Sequence, residues 1–353
     1  MSRFWTARTA ALTPYVPGEQ PATTGLIKLN TNEHPMPPSQ VAIDAMAAIS
    51  GDALRRYPDP TSRKLRLAIA DSENLELEQV FVGNGSDEVL ATVFMALLAE
   101  GPALTVPDIT YSFYPVWAKL YQVALRTIPL KDDFTLDVEA LCKAPGPVLI
   151  ANPNAPTGIA LSRDEIRRIL ESDRDRLLIV DEAYFGFGAE TAAPLIDDYD
   201  NLLITRTLSK SHALAGLRLG YALGNATLIE GLVRVKDSFN SYPVDVIAER
   251  VAEVAVGDRA WLQEAGSKVA AWRDELRAGL EALGFEVLAS RANFVFARHP
   301  QYEGRVLFDA LRAKNIIVRR WDKPRLTQWL RITVGTPDQN QALLDALRQQ
   351  CPE

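Results

Sequence analysis

Residues 207–220 read Thr-Leu-Ser-Lys-Ser-His-Ala-Leu-Ala-Gly-Leu-Arg-Leu-Gly and follow a short, mainly apolar run, Leu202–Thr205, that predicts a buried strand. Lys210 therefore stands just beyond a strand end, after Ser209 and eight residues before Arg218. A sufficiently deprotonated lysine forms a Schiff base with an aldehyde, and a hydroxyl and a guanidinium suit a phosphate beside it. The alternative is a solvated loop lysine with a surface arginine, which this stretch alone leaves open.

The composition bounds the class of protein. A chain of 353 residues with 47% hydrophobic residues predicts two domains. The net charge of −7 gives no basic face for nucleic acid. Cys142 and Cys351 form no disulfide framework, and the three histidines are scattered, so we expect a reducing, cytoplasmic setting and no metal site. The N-terminus does not read as a secretory signal, and the apolar run Val89–Ala99 is too short to span a membrane.

From residue 80 onward, short apolar strands alternate with helices, which predicts a mainly parallel sheet covered on both faces in an α/β fold. Ligands on such sheets bind beyond the carboxyl ends of the strands. The predicted strands are 80–82, 103–106, 124–128, 148–151, 177–180, 202–205 and 218–223, and the predicted helices are 86–99, 113–121, 163–171 and 211–215.

After about residue 240 the pattern changes to that of a smaller α+β domain. We expect residues 30–240 to form the large domain, and residues 1–29 with 241–353 to form the small one. The predicted elements are a long helical region over 246–283, strands at 286–288, 293–297, 316–319 and 330–334, and helices at 306–314 and 340–349.

A glycine-rich turn, Gly83–Glu88, follows the strand at 80–82 and opens the helix at 86–99. Backbone N–H groups at a helix N-terminus suit a phosphate, which makes Ser86 and Asp87 candidates for such a site. The alternative is a plain turn, with Ser86 as the helix cap and the acidic residues at the positive end of the helix dipole. The turn alone favours neither reading.

Polar side chains follow two further strands. Asn154 lies in the Asn-Pro-Asn-Ala-Pro-Thr-Gly turn after strand 148–151, and its amide suits a ligand oxygen. Asp181 ends a buried run, where a carboxylate is costly unless it is paired; a protonated pyridine nitrogen would pair it. Tyr184, three residues later, is placed to donate to a ring oxygen. The alternatives are a plain turn at Asn154 and a helix cap at Asp181.

Three more residues suit a flat, anionic ligand. Tyr111 follows another strand end and suits stacking on a ring, although core packing is the usual fate of an aromatic residue. Arg319 and Arg331 lie on or beside apolar strands, where a guanidinium needs an anion. Internal salt bridges would serve these two arginines equally well. Together with the lysine, the carboxylate and the phosphate-binding groups, these residues make a complete set of contacts for pyridoxal phosphate.

In the order of its motifs the chain resembles the fold-type-I pyridoxal-phosphate aminotransferases, and within them the histidinol-phosphate branch. The resemblance covers nearly the whole chain and implies a large domain with a mainly parallel seven-stranded sheet plus a smaller α+β domain. The motifs that carry it are Leu12–Tyr15, Leu29–Glu33, Arg56–Pro58, Gly83–Glu88, Asn152–Gly158, Asp181–Tyr184, Thr207–Lys210 and Leu330–Thr336.

The resemblance also implies a role for each candidate residue. The cofactor contacts are Lys210 as the Schiff-base and proton-transfer residue, Asp181 at the pyridinium nitrogen, Asn154 and Tyr184 at the ring oxygen, Tyr111 on the ring face, and Ser86, Asp87, Ser209 and Arg218 around the phosphate. The substrate contacts are Tyr15, Asn32, Arg319 and Arg331. The family forms homodimers with shared active sites, in which Tyr57 would reach the partner's cofactor phosphate and Tyr15 the partner's substrate.

The activity implied is the conversion of L-histidinol phosphate and 2-oxoglutarate to imidazole acetol phosphate and L-glutamate, a step of histidine biosynthesis. Small-molecule substrates are therefore the expected partners, with no nucleic acid and no membrane. Two alternatives share most of these motifs: an aromatic amino acid aminotransferase and a pyridoxal-phosphate-dependent threonine-phosphate decarboxylase. The wording Ile109-Thr110 before the stacking tyrosine departs from the family's usual pattern and leaves the substrate open.

Overall fold

The computed structural model of the protein describes residues 2–20 and 25–351. The strands in this part of the chain are β1 (Ile27–Lys28), β2 (Val80–Asn84), β3 (Leu104–Pro107), β4 (Leu125–Ile128), β5 (Val148–Ala151), β6 (Leu178–Asp181), β7 (Leu202–Thr207), β8 (Leu219–Gly224), β9 (Glu286–Val287), β10 (Phe294–Arg298), β11 (Ile316–Ile317), β12 (Arg319–Arg320) and β13 (Leu330–Thr333).

The α-helices in the same residues are α1 (Ala7–Ala11), α2 (Gln40–Ala47), α3 (Gly51–Leu54), α4 (Arg63–Glu73), α5 (Gly85–Val93), α6 (Tyr114–Leu120), α7 (Val138–Cys142), α8 (Arg163–Glu171), α9 (Leu208–Ser211), α10 (Ala226–Phe239), α11 (Val246–Gly257), α12 (Arg259–Ala282), α13 (Gly304–Ala313) and α14 (Pro337–Arg348). A π-helical stretch, Phe94–Leu98, continues α5.

The large sheet has seven strands in the order β2-β8-β7-β6-β5-β3-β4. Only β8 is antiparallel to its neighbours, so the predicted mainly parallel sheet is confirmed. The register pairs Ala151 with Asp181, and Asp181 with Thr205. The carboxyl ends of β5, β6 and β7 therefore finish at one edge, where the side chains that follow these strands converge.

Both faces of this sheet are covered. Side chains alternate along a strand, so Leu149, Ile179 and Leu203 pack into one hydrophobic cluster, while Ile150 and its neighbours on the adjacent strands pack into another on the opposite face. Fully burying one such side chain contributes about 1.5–3 kcal/mol relative to its exposure. This double burial is why the strands read as unbroken apolar runs.

A second, four-stranded antiparallel sheet has the order β12-β13-β10-β9. The N-terminal segment packs beside it, because β1 pairs in parallel with β11 through Ile27 and Ile316. The division of the chain into a large domain, residues 30–240, and a small one, residues 1–29 with 241–353, stays a prediction.

Some local predictions were wrong. The helical region at 246–283 is two helices, because Asp258 ends α11 and its side chain accepts a 3.1 Å hydrogen bond from the Trp261 N–H at the start of α12. The helix predicted at 211–215 instead begins at Leu208, where the side chain of Thr207 caps α9. Lys210 therefore lies within a helical turn rather than before one. Helix α10 was not predicted.

Candidate active site

A cavity of about 500 Å³ lies at the carboxyl ends of the large sheet, between that sheet and the four-stranded one. The sequence-predicted residues that line it are Tyr15, Asn32, Ser86, Asp87, Tyr111, Asp181, Tyr184, Ser209, Lys210, Arg218, Arg319 and Arg331. Asn154 and Tyr57 were also predicted as site residues but are not part of this lining.

Lys210 is held in the cavity by a residue that sequence reasoning did not single out. Its Nζ donates a 2.7 Å hydrogen bond to the backbone carbonyl oxygen of Thr31. Burial lowers the pKa of Lys210 to about 8; Glu33 opposes this shift, and the positive charge of Arg331 adds to it. Near pH 8 about half of this amine is therefore neutral, which is the form that attacks an aldehyde.

Asp181 ends β6 and is 3% exposed. Its carboxylate accepts hydrogen bonds from the Tyr114 hydroxyl at 2.8 Å and from the Ala183 N–H at 3.2 Å. Burial nevertheless raises the pKa of Asp181 to about 6, and the Tyr114 hydrogen bond opposes the rise. No cation contacts this carboxylate in the described part of the chain, and a buried carboxylate with a raised pKa fits a cationic ligand group.

Tyr184 and Asn32 meet on the far side of the cavity. The Asn32 amide donates a 2.9 Å hydrogen bond to the Tyr184 hydroxyl, and burial raises the pKa of Tyr184. Asn154 is fully buried nearby, and its Nδ2 donates to the Ile109 carbonyl oxygen at 3.0 Å. Within the described ranges its Oδ1 has no hydrogen-bond partner. One polar atom of Asn154 is thus left unsatisfied, although the residue lies just behind the cavity wall.

Three segments form a cup at the cavity: the start of α5, helix α9 and the residue before β8. We define this cup as Ser86, Asp87, Ser209 and Arg218. The Arg218 guanidinium donates to Ser209 Oγ at 3.4 Å and to an Asp87 carboxylate oxygen at 3.2 Å. Arg218 has a φ of 53°, a left-handed conformation that is uncommon for a residue with a side chain. Such strain persists where the surroundings hold it, often at functional sites.

A glycine allows β8 and the start of α5 to approach each other. A Cβ at position 220 would lie 2.4 Å from the Ser86 backbone nitrogen, closer than any real contact. Gly220 therefore lets β8 run directly against the N-terminus of α5. The exposed N–H groups of that helix end and the Arg218 guanidinium face the same space and suit one phosphate.

Tyr111 forms part of an aromatic wall of the cavity. Its ring packs edge-on to Tyr114, with centroids 5.4 Å apart, and its hydroxyl lies 3.5 Å from Asp87. Burial and the negative charge of Asp87 raise the pKa of Tyr111 well above its ordinary value. The ring therefore stays neutral and apolar on a side of the cavity where a flat ligand could stack.

Arg319 and Arg331 line the part of the cavity that the four-stranded sheet contributes. They are register partners on β12 and β13. Arg331 donates a 2.8 Å hydrogen bond to the Asn30 carbonyl oxygen, whereas its Nε has no partner in the described residues. Burial lowers the pKa of Arg331, and the neighbouring positive charge of Arg319 contributes. Two cations this close, each with donors to spare, form an anion site.

Tyr15 and Tyr57, which were predicted to reach the site of a partner subunit, differ in their positions relative to the cavity. Tyr15 was expected to reach a partner's substrate, but it lines the cavity of its own chain, with its ring 4.7 Å from Phe113. Gly18 lines the same cavity. Tyr57 is 84% exposed and stacks on Tyr242, with centroids 4.8 Å apart.

Behind the cavity lies a buried ion cluster that the sequence did not reveal. Arg206 is fully buried on β7 and contacts the carboxylates of Glu182 at 2.9 Å and Glu73 at 2.7 Å. Its guanidinium also lies 3.7 Å from the centre of the Phe185 ring. Glu182 directly follows Asp181, so this cluster fastens the end of β6 to β7.

Two further findings concern metal-binding groups and membrane-spanning helices in the described residues. Among the described residues, no group of three or more His, Cys, Asp or Glu side chains is arranged to hold a metal ion. None of the helices in those residues is both long and apolar enough to cross a membrane.

Comparison with known proteins gives consistent matches. The model of the family described as aminotransferase class I and II matches residues 24–347. Histidinol-phosphate aminotransferase 1 of Bordetella parapertussis is 53% identical over 352 residues, 99% of each chain. Histidinol-phosphate aminotransferase of Gluconacetobacter diazotrophicus is 53% identical over 347 residues, 98% of each chain.

A solved structure shares the fold. It is histidinol-phosphate aminotransferase from Sinorhizobium meliloti in complex with pyridoxal-5'-phosphate, with a TM-score of 0.89 and 24% identity. The match covers 99% of this chain and 98% of that chain.

Proposed function

The chain belongs to the class I and II aminotransferase family, and from that premise we propose that it transfers the amino group of L-histidinol phosphate to 2-oxoglutarate. The products are imidazole acetol phosphate and L-glutamate, which places the reaction in histidine biosynthesis. One observation carries the proposal: Lys210, Asp181 and the phosphate cup share one cavity with the arginine pair. The names of relatives at 53% identity support the substrate.

Pyridoxal 5'-phosphate is the cofactor that fits this cavity. Asp181 would hold the protonated ring nitrogen, because its carboxylate is buried with a pKa raised to about 6 and contacts no cation among the residues that the structure describes. The cup would hold the phosphate, and Tyr184 with Asn154 the ring oxygen. The Tyr184 hydroxyl accepts a hydrogen bond from the Asn32 amide, so its own proton remains to be donated to the ring oxygen. On Asn154 the donor is Nδ2, because an amide oxygen only accepts. When bound, the cofactor supplies an aldehyde for the lysine and a ring that withdraws electrons.

Lys210 is the residue that we assign to proton transfer at the substrate α-carbon. General base catalysis is most effective when the pKa of the base lies near the working pH, and the pKa of Lys210 is lowered to about 8. The Thr31 carbonyl oxygen keeps the amine inside the cavity. Asp181, held by Tyr114, preserves the negative charge that keeps the ring nitrogen protonated.

The arginine pair would bind the anionic end of each substrate. Arg319 and Arg331 would hold the phosphate of histidinol phosphate, and Arg331 the carboxylate of glutamate. A guanidinium suits both groups because its N–H donors form a planar fork. Tyr15 and Asn32 would line the space between that end and Lys210.

The exposed aromatic residues suit a homodimer. Tyr57 and Phe239 are 84% and 73% exposed, and Tyr57 stacks on the half-exposed Tyr242. Exposed apolar side chains of this size mark interaction surfaces when they gather in one place. We assign this face to a second copy of the chain, with Tyr57 directed at the partner's cofactor phosphate. Analytical ultracentrifugation of the wild type and of Tyr57→Ala with Phe239→Ser tests the assignment; an unchanged dimer in the double variant rejects it.

The activity itself is tested by mixing single amino donors with the holoenzyme and following the absorbance of the bound cofactor. Histidinol phosphate and glutamate should react fastest. A faster reaction with phenylalanine or tyrosine would replace the proposal with an aromatic aminotransferase. Release of carbon dioxide from threonine phosphate would replace it with a decarboxylase.

A further inference from the structure

The arginine pair carries an electrostatic cost before any substrate arrives. Arg319 and Arg331 stand directly opposite each other in an antiparallel pair, so their side chains leave the same face of the sheet. Like charges directly opposite one another are destabilising. In the part of the chain that the structure describes, neither guanidinium has a carboxylate partner. The Asn30 carbonyl oxygen holds Arg331, whereas no polar group in those residues holds the Arg319 guanidinium.

Trp321 lies beside both guanidinium groups. The Cζ atoms of Arg319 and Arg331 are 5.6 Å and 5.3 Å from its ring centroid. It follows Arg319 by two residues, the spacing that returns to the same face of an extended chain. A cation over an aromatic ring gains about 0.5–1 kcal/mol when exposed and about 2 kcal/mol when desolvated. One ring therefore offsets part of the repulsion for both cations.

The ring of Trp321 is itself fixed in position. It packs edge-on against Phe296, with centroids 6.4 Å apart, and Phe296 is the register partner of Arg331 on β10. The same loop is held to the segment after β4 by Arg325, which donates a 2.9 Å hydrogen bond to the Leu130 carbonyl oxygen. Trp321 lines the cavity between the two sheets.

We propose that Trp321 is a positioning residue, which holds Arg319 and Arg331 in the geometry that receives the substrate's anionic group. The inference rests on the proposed function, since it assigns the recognition of the phosphorylated donor to three side chains instead of two. Trp321 acts through the arginines. Arg331 has a second aromatic neighbour, Phe294, at 5.4 Å from its Cζ atom, so Arg319 should depend on Trp321 more strongly.

Two variants of Trp321 separate its aromatic face from its bulk. Trp321→Leu keeps an apolar side chain without a π face, and Trp321→Phe keeps a smaller π face. Trp272→Leu is the matched control, because Trp272 is also half-buried but lies on α12 outside the cavity. For each holoenzyme we would measure the dissociation constant of inorganic phosphate by calorimetry, the melting temperature, and kcat and KM for histidinol phosphate and histidinol.

Trp321→Leu should weaken phosphate binding and raise KM for histidinol phosphate by about tenfold, at ~1.4 kcal/mol per decade. Its kcat and its KM for histidinol should stay near the wild-type values. Trp321→Phe should recover most of the loss, and Trp272→Leu should leave phosphate binding unchanged.

An equal loss for histidinol and its phosphate would overturn the proposal, because Trp321 would then contact the part that both donors share. A lowered melting temperature with unchanged phosphate affinity would also overturn it, by making the residue purely structural. If the wild type does not use histidinol phosphate, the proposed function fails instead, and phosphate affinity alone still decides the role of Trp321.

Discussion

The hydroxyl of Tyr114 donates a 2.8 Å hydrogen bond to a carboxylate oxygen of Asp181, across 67 residues of sequence. Burial raises the pKa of Asp181 to about 6, and this hydrogen bond is the strongest influence that opposes the rise. It stabilises the ionised carboxylate without neutralising it. The negative charge that a cationic ring needs at the end of β6 thus depends on a tyrosine from the start of α6.

Tyr114→Phe should therefore raise the pKa of Asp181 further. Because the carboxylate must be ionised to bind a cation, the affinity for pyridoxal phosphate should fall about fivefold or more at pH 6, by roughly the 1.5–3 kcal/mol of one hydrogen bond to a charged group, and change much less at pH 8. The dissociation constant is measured by titrating the cofactor-free protein with pyridoxal phosphate at fixed pH values from 5 to 9. Tyr199→Phe removes a comparable tyrosine–carboxylate bond, to Glu171, away from the site and is the control. An unshifted pH profile would mean that Tyr114 only fills space.

Asp181→Asn should reduce kcat by about a hundredfold or more, since breaking a buried ion pair costs about 3 kcal/mol or more. In the cofactor-free protein, however, the same substitution should stabilise the fold. A raised folded-state pKa means that the ionised form is disfavoured, and this penalty is absent below the unfolded pKa and complete above about 6. At pH 8 the cofactor-free variant should melt above the cofactor-free wild type. If Asp181→Asn has the kinetics of the wild type, Asp181 only caps the following element and has no role in the reaction.

Lys210→Ala should abolish turnover with the fold intact, because both the Schiff-base amine and the proton-transfer group are lost. Circular dichroism and steady-state assays check the two parts. Lys268→Ala, which removes an exposed lysine paired with Glu264 on α12, should change neither. Near-wild-type activity in Lys210→Ala would refute the assignment.

The reaction of the cofactor-free protein with pyridoxal phosphate should follow the pKa of Lys210, lowered to about 8. Only the neutral amine attacks, so the rate should rise with pH up to about 8 and then level off. Stopped-flow absorbance measures it. The side chain of N-acetyl-lysine in the same buffers should keep accelerating toward pH 10, because an ordinary lysine has a pKa of ~10.4. If the rate for the protein also keeps rising toward pH 10, the pKa of Lys210 is not lowered by burial.

Arg319→Ala and Arg331→Ala should each raise KM for histidinol phosphate by about tenfold or more, since one charge-assisted bond contributes roughly 1.5–3 kcal/mol. Histidinol, which has no phosphate, should be far less sensitive, and Arg331→Ala should also impair glutamate. Specificity constants for the three donors measure this. Arg298→Ala, at an ion pair with Glu286 on the same small sheet, is the control. Equal losses for histidinol and its phosphate would leave the arginines a supporting role in the fold.

The position of Asp181 and Lys210 in one site could be predicted because each lies at or just beyond the end of a mainly apolar strand. Such strands signal a sheet buried on both faces, and the ends of parallel strands meet at one edge. The hydrophobic pattern of the two strands was thus enough to predict that these two side chains lie at the same site. The break at Asp258 was also readable in principle, because a glycine and an aspartate stand together there at the junction of two helical patterns.

Tyr114, Trp321 and Arg206 could not be assigned in the same way. Arg206 lies within a strand that otherwise reads as apolar, and its partners Glu73 and Glu182 come from α4 and from the end of β6. Trp321 acquires its two cations only through the register of β12 with β13. Such contacts depend on strand order and register, which apolar periodicity does not specify.

The insertion of β8 between β2 and β7 also has a consequence in time. Strand β2 pairs only with β8 among the strands of the large sheet, although more than a hundred residues separate them. During synthesis, β2 and the start of α5 therefore emerge long before the strand that brings Arg218 to them. The phosphate cup is therefore incomplete in a nascent chain that lacks β8, because Arg218 reaches the N-terminus of α5 only when β8 pairs with β2.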